Sequence, residues 1–418
     1  MKELFFIRES LRDKITYYHL LFFVASLPFD RLYSELALIS LCIHTLIHLQ
    51  KVTAHKPSFR RLFLPISLFL LTVLGTAYTR FYDEAFYEWE RQLAFLLFPL
   101  VISVQPFDVK RYIPNIIAVM ALSCFGTLVY LYYTAVDIIR LNHLPFTSLF
   151  SNAFINHNFS APIDMHATYF SMYIALAAVG IVTLIKNETH TGKKIVYAVI
   201  LFVLLAGLLQ LSSRAVLIAF ALIVNGVMPF LLVSKKKRWL FLLLTISISV
   251  SAFYAFTRMD DLRTRLIIDL KEDLTRTVNN NTLEPRAVRW NCALELIGQS
   301  PVYGHGSGSE VALLKELYYN RKLYNSYLND LNAHNEYLSM LIKTGIIGLI
   351  VLLWIYMAGF KQAIGEKDLL FYSFLVITGV VCFSENIMDA NKGIFFFASF
   401  YSFFYLGGPG RSDAVIQK

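Results

Sequence analysis

Charge is what this 418-residue chain has little of. Only 16% of its residues are Asp, Glu, Lys or Arg, against about 25% in a soluble chain. With 56% apolar residues beside that shortfall, an ordinary soluble enzyme is excluded, and so is a disordered chain. Cysteine is scarce too. There are four, with Cys42, Cys124 and Cys382 in apolar runs and Cys292 alone in the longest polar segment. One thiol there closes no disulfide, so a stapled secreted scaffold is excluded. Metal-ligand spacings, a Walker loop and a dinucleotide fingerprint are all missing, and no metal or cofactor is expected. What the chain has in quantity is aromatic carbon, with 35 Phe and 24 Tyr, and long hydrophobic runs.

A helix needs roughly 20 apolar residues to cross the hydrocarbon core of a bilayer. Twelve runs approach that length, near 15–29, 33–50, 62–79, 91–105, 112–136, 163–185, 195–212, 213–233, 239–257, 335–360, 369–385 and 391–407. The first follows Lys2, Arg8, Arg12 and Lys14 without a small-residue cleavage site, and it reads as an uncleaved signal-anchor. Lys and Arg collect in cytoplasmic connections. With the N-terminus inside, the inner segments hold 21 of the 38 Lys and Arg against eight acids. They include Lys51 and Lys56, the run Lys235 to Arg238, and Arg411 and Lys418. A miscounted helix would reverse this bias downstream, and no reversal occurs. The expected fold is therefore an all-α polytopic membrane protein with about twelve transmembrane helices and cytoplasmic termini. The net charge of +9 then anchors topology and implies no nucleic acid.

Residues 258–333 stand apart as a long outer connection, which divides the chain into spans one to nine (1–257), a helical outer loop (258–333) and spans ten to twelve (334–418). Leu262, Leu266, Ile267, Leu270 and Leu274 recur at helical spacing. Asn279, Asn280 and Asn281 break that helix, and Pro285 suits the first turn of the next. Gly304, Gly306 and Gly308 read as a flexible turn, because their spacing is not that of a phosphate loop. A third helical stretch covers about 309–328.

Several residues carry chemistry on the outer side. His334, at the mouth of span ten, suits a general base or a polar interfacial residue. Arg286 and Arg289 share a helix face and suit a diphosphate clamp or a solvated stripe. Arg214, at the turn between spans seven and eight, reaches either lipid headgroups or a lipid-linked phosphate. His166, near the start of span six, marks either a polar cavity or internal hydrogen bonding. Tyr337 and other tyrosines of the loop suit sugar stacking or a membrane-interface belt. Mid-span charge is sparse, with Lys343 its clearest instance.

The stretch Arg286-x-x-x-Trp290, then Ser300-Pro301-Val302-Tyr303-Gly304-His305-Gly306, His334-Asn335-x-Tyr337-Leu338 and Gly345-x-x-Gly348, resembles the signature of the bacterial O-antigen ligase and polymerase superfamily. Ser213-Arg214 and the segment from Glu385 to Gly393 are similar to its other elements. The resemblance implies a GT-C-like membrane glycosyltransferase that takes a glycan from undecaprenyl diphosphate on the periplasmic face. A ligase passes it to the lipid A–core, a polymerase to another lipid-linked repeat, and relatives to proteins. In that scheme Arg214 and Arg286 or Arg289 hold the diphosphate, and His334 takes the proton of the acceptor hydroxyl. Trp290, Tyr337 and His166 line the substrate. A lipid-linked glycan flippase is the rival from another class, and it would place ionisable residues deep in several spans.

Overall fold

In the computed structural model the described residues are 6–49, 59–105, 107–275 and 283–407. Among them there is no strand, and all twelve apolar runs are helical over most of their length. Lys51, Lys56, Arg411, Lys418 and Asn279 to Asn281 lie outside the described residues. Six helices are long and apolar enough to cross a membrane: Val109–Leu141, Ala167–Asn187, Thr191–Leu211, Arg214–Leu231, Lys235–Thr257 and Glu336–Glu366. Arg61–Thr76 and Leu369–Val381 are shorter apolar helices. The chain is thus a polytopic helical membrane protein.

The bundle consists of α1 (Leu11–Ser26), α2 (Arg31–Ile47) and α3 (Phe59–Thr76). A polar helix, α4 (Tyr82–Gln92), turns at Leu93 into α5 (Ala94–Val104). At 1.5 Å per residue α5 reaches only about 16 Å, roughly half the hydrocarbon thickness. Then come α6 (Val109–Leu141), α7 (Ala167–Asn187) and α8 (Thr191–Leu211). After them α9 (Arg214–Leu231) carries a π turn at Ile223–Val227, and α10 (Arg238–Thr257) closes the first part. The long connection expected from sequence to be outer, hereafter the outer loop, holds α11 (260–273, with a π turn at Thr264–Ile268), α12 (Arg286–Gln299), α13 (Ser309–Asn320) and α14 (Tyr324–Leu328). The chain returns through α15 (Glu336–Glu366), α16 (Leu369–Val381) and α17 (Asn391–Leu406).

Two features account for the core. Helix α7 is apolar on every face and is buried on every face from Ala167 to Ile181, a position that a helix without a polar stripe tolerates. Its small residues let neighbours approach closely: a Cβ on Gly180 would lie 2.0 Å from Ile117 Cγ2 of α6. The abundant phenylalanines meet between α16 and α17. Phe374 lies 5.4 Å from Phe396 and 5.6 Å from Phe397, ring centre to ring centre, inside the range in which tilted rings attract.

The outer loop has an apolar core of its own, built from Cys292, Ala293, Leu296, Leu314, Tyr318, Leu323 and Ala333 with Ile342 of α15. It is fastened to the bundle at a break in α15, where Gly345 adopts φ 63 and ψ −159. The break frees backbone groups that a membrane helix must re-satisfy, and the glycine loop supplies the partners. His305 N–H donates to Ile342 O and Gly306 N–H to Lys343 O, both at 2.8 Å, while Ile346 N–H donates to Pro301 O at 2.9 Å. The loop read from sequence as a flexible turn is instead closely fitted. Gly304 has φ 69, and a Cβ there would lie 2.5 Å from the Lys343 carbonyl carbon.

Gly345→Ala is expected to lower the thermal midpoint of the detergent-solubilised protein clearly, because its Cβ would meet Val302 O at 2.2 Å and its positive φ costs about 1–3 kcal/mol in a non-glycine residue. Gly226→Ala, where a Cβ meets nothing within 4 Å, is expected to leave it unchanged in the same melting experiment.

Candidate active site

Five segments distant in sequence meet at one end of the bundle. Ser212, left-handed at φ 42, ends α8 and turns the chain so that Arg214 opens α9. Asp273 ends α11. Arg286 opens α12 directly after Pro285, which stands at the N-cap rather than in the first turn. His334 precedes α15, and Glu385 lies in the connection from α16 to α17.

Their side chains form one line of charge. Arg214 Nη2 lies 2.7 Å from Asp273 Oδ2, and Arg286 Nε lies 3.7 Å from the same oxygen. Arg286 Nη2 is 3.8 Å from Glu385 Oε1, and Arg286 Nη1 donates to Ser384 O at 2.9 Å. Glu385 Oε2 is 3.2 Å from His334 Nδ1. Two arginines thus share one carboxylate, and a second carboxylate joins them to an imidazole.

His334 is held in a left-handed conformation, φ 46, which costs a residue with a Cβ about 1–3 kcal/mol and occurs preferentially at functional sites. Its N–H donates to Asn332 Oδ1 at 3.0 Å. Trp290 Nε1 donates to Ala333 O at 2.9 Å, which ties α12 to the residue before it. Asn335 caps α15, with its Oδ1 accepting from Leu338 N–H at 3.1 Å.

Beside this line lies a cavity of about 350 Å³, lined by His166, Tyr169, Asn332, His334 and Glu385 together with Glu84, Tyr87, Glu88 and Arg91 of α4. Arg214, Asp273 and Arg286 are not part of its lining and approach it through Glu385. Burial alone would push the Glu385 carboxyl up, but the hydrogen bond with His334 and the nearby His166 and Arg286 outweigh it and hold it below the usual range. His166 is pushed down by burial, against the pull of Glu385. His157, whose ring centre is 4.2 Å from that of His166, is pushed down to about 4 by burial and by His166. His166 also caps α7, its Nδ1 accepting from Thr168 N–H at 3.3 Å. Burial therefore favours the neutral imidazole at both His166 and His157.

Behind the cavity sits a buried charge cluster. Lys343 Nζ, 4% exposed, lies 2.7 and 2.9 Å from the two Asp389 oxygens and 3.6 Å from Glu88 Oε1. Gln92 of α4 adds a hydrogen bond to Met388 O at 3.2 Å. The cluster joins α4, α15 and the connection before α17.

Arg214, Arg286, His334 and His166 are thus brought to one region. Arg289 is not on the line. It turns into the outer-loop core at 2% exposure, where burial disfavours its charge and nearby Tyr318 partly offsets that. Its Nε and Nη1 have no hydrogen-bond partner among the described residues. Tyr337 also lies away from the cavity: its hydroxyl donates to Gly379 O at 2.8 Å, and its ring packs 4.6 Å from Phe383. Trp290 holds the loop in place and does not line the cavity. Asp273 and Glu385 were not singled out as site residues by sequence. The signal for Glu385 is the polar group Ser384-Glu385-Asn386 with Asp389, set between two apolar runs. Among the described residues no three His, Cys, Asp or Glu side chains are grouped to hold a metal ion.

Residues 198–353 match the family model described as O-Antigen ligase. An uncharacterized protein of Haemophilus influenzae is 30% identical over 87 residues, which are 21% of this chain and 22% of that protein. The chain therefore matches about a fifth of that relative's length. The family match takes in Arg214, Asp273, Arg286 and His334, and it places this stretch, an O-antigen ligase domain, in the O-antigen ligase and polymerase superfamily.

Proposed function

We propose that the chain is an inverting glycosyltransferase that moves a glycan from a polyprenyl diphosphate, undecaprenyl diphosphate in bacteria, to an acceptor hydroxyl on the periplasmic face. A ligase-type acceptor, the lipid A–core, is the preferred one. The observation that carries this reading is the unbroken line Arg214, Asp273, Arg286, Glu385, His334. It sets a pair of cations, suited to a leaving diphosphate, next to an imidazole oriented by a carboxylate.

The chemistry follows from those positions. Glu385 accepts from Nδ1–H of His334 and leaves Nε2 to accept a proton. The acceptor hydroxyl gives that proton to Nε2 as its oxygen bonds to the anomeric carbon. The bond from that carbon to the diphosphate oxygen breaks, and the oxygen leaves with the electron pair. Attack opposite the leaving group inverts the centre. Arg214 and Arg286 stabilise the charge that develops on the diphosphate. Asp273 occupies the place between the two guanidiniums that a phosphate oxygen would take, so donor binding displaces it. Arg286 is preferred to Arg289 because Arg289 turns into the loop core.

The layout belongs to the same proposal: twelve spans in a GT-C-like membrane protein of the inner membrane, cytoplasmic termini, and three parts, 1–257, 258–333 and 334–418. The helicity of all twelve runs where described supports it. Against a flippase stands the origin of the buried charges. Lys343 is neutralised by Asp389 from an outer connection and Glu88 from an outer helix, so the cluster does not trace a path through the spans.

In proteoliposomes with a polyprenyl-diphosphate-linked glycan and a lipid A–core acceptor, release of the carrier diphosphate is the decisive reading, and transfer of intact donor across the bilayer without release would establish the flippase. His334→Ala is expected to lower turnover by roughly 10²–10⁴-fold, and Arg214→Ala and Arg286→Ala by about 10²–10³-fold each. Arg289→Ala is expected to lower membrane accumulation while turnover per folded molecule stays near the parental value. Parental rates in all of the first three variants would refute the site.

Asp273→Asn removes the carboxylate that competes for the arginines. It is expected to make inorganic pyrophosphate a stronger inhibitor by about fivefold, equivalent to roughly 1 kcal/mol. A weaker inhibitor constant in that variant would mean that Asp273 shapes the arginine pair instead of competing with the donor.

A further inference from the structure

His334 keeps a strained backbone, and one side chain restrains the chain on both sides of it. Glu310 stands in the first turn of α13 and is 3% exposed. Its Oε1 accepts from the N–H of Ala333, the residue before His334, at 3.0 Å. Asn386 Nδ2 donates to both Glu310 oxygens, at 3.0 and 3.1 Å. Asn386 directly follows Glu385, and its Oδ1 accepts from the N–H of Asn335, the residue after His334, at 2.8 Å. Ser339 Oγ, one turn into α15, donates to Glu310 Oε2 at 2.5 Å. A single carboxylate in the outer loop therefore grips the segment before His334 directly. Through Asn386 it grips the segment after His334 and the segment that carries Glu385.

We propose that Glu310 is a positioning residue that sets the separation and alignment of the His334–Glu385 pair. The inference rests on the proposed roles of His334 and Glu385. The grip is what the pair needs. Glu385 and His334 belong to connections 51 residues apart in sequence, and the hydrogen bond between them spans 3.2 Å. A shift of about 1 Å at a reacting group can cost 10²-fold in rate. The hydrogen-bonding pattern also separates this role from acid–base chemistry by Glu310 itself, although Glu310 reaches the cavity wall. A glutamine in its place keeps an oxygen that accepts from Ala333 N–H and Asn386 Nδ2. Its amide N–H₂ faces Ser339 Oγ, which can accept and pass its own proton toward Asp389 Oδ2 at 3.3 Å; the second Asn386 Nδ2 bond, to Oε2, is lost, and Asp389 Oδ2 at 3.3 Å from that nitrogen takes its place. The grip therefore survives loss of the charge, whereas proton transfer does not.

The test uses the full chain in proteoliposomes, with release of the carrier diphosphate from a polyprenyl-diphosphate-linked glycan as the readout. Glu310→Ala is expected to lower kcat by roughly 100-fold with the donor KM within about threefold of the parent. Glu310→Gln is expected to restore kcat to within about fivefold of the parent, since its grip persists. In the double variant, Glu310→Ala is expected to add little to the loss caused by Glu385→Ala, because both act through His334. A Gln variant as slow as the Ala variant would overturn the proposal in favour of acid–base chemistry by Glu310. Losses that multiply in the double variant would also overturn it, because Glu310 would then act independently. Should Glu310→Ala fail to accumulate, Asn386→Ala interrupts the same linkage and carries the same expectations of kcat, KM and non-additivity. His334→Ala in parallel separates the two levels. Parental rate there refutes the reading of the site, while a dead His334→Ala beside a parental Glu310→Ala refutes only the positioning role.

Discussion

The break in α15 at Gly345 decides how the long loop meets the membrane helices. A membrane helix that interrupts its own hydrogen-bond ladder must find partners for the freed groups inside protein, because lipid offers none. Here the partners come from outside the bundle, from Pro301, His305 and Gly306. That exchange makes the outer loop part of the membrane domain at one fixed point. It brings Ile342 into the loop's apolar core and fixes the first half of α15, with His334 just ahead of it, against α12 and α13. Without a glycine at 345 the loop could not approach, since a Cβ would collide with backbone atoms of Val302 and Tyr303.

Charge follows from that docking. Lys343 lies two residues before the break and is buried, a position in which an unpaired ammonium would cost several kcal/mol. The chain meets that cost with carboxylates from two other elements, Asp389 and Glu88. Such a pair is weak evidence for added stability, but it enforces one arrangement, since removing either partner leaves a buried charge behind. The arrangement it enforces places Asn386 and Glu385 beside the start of α15. The polar floor and the reactive line are therefore successive consequences of a single break in one helix.

The helical character of the fold was legible in the sequence because lipid imposes long apolar runs, and a run declares itself without knowledge of its neighbours. Arg214, Arg286 and His334 stood out in the sequence by residue type and by position at the ends of apolar runs or in the long polar connection, and the structure brings the three together. Acids were harder to read. Asp273 sits among other charged residues of an amphipathic helix, and nothing local distinguishes it from Asp269 or Glu272. Its meaning arises only when α9 and α12 converge on it. Glu385 is similar, because its partner His334 is supplied by another connection. Arg286 and Arg289 share a helix face at three-residue spacing, yet the small rotation between such positions is enough to send one to the site and the other into the loop core. Tyr337 and Trp290 mislead in the opposite direction. An aromatic beside a reactive histidine suggests a sugar platform, but the hydroxyl and the indole N–H are consumed by Gly379 O and Ala333 O. The glycines of the 304–308 loop carry their information in positive φ and close approach, which sequence spacing does not express.

On the proposed reading, the pair of arginines is accompanied by a resident carboxylate for an electrostatic reason. Two guanidiniums brought together in a half-buried region repel each other, and Arg265 adds a third cation whose charge is disfavoured first by burial and then by Arg214. An anion between them lowers that repulsion while the site is empty. Asp273 supplies it from the end of α11, a helix whose π turn and exposed apolar residues Ile267, Ile268 and Leu270 leave it less firmly packed than α12. A carboxylate on such an element can neutralise the arginines without binding them as firmly as a doubly charged phosphate would. Glu385 is held differently. It is nine-tenths buried, its neighbours hold it ionised, and the chain on either side of its partner is restrained. One carboxylate is thus placed where it can yield and the other where it cannot, and this difference matches the two tasks proposed for the line, release of a charged substrate and fixed orientation of a base.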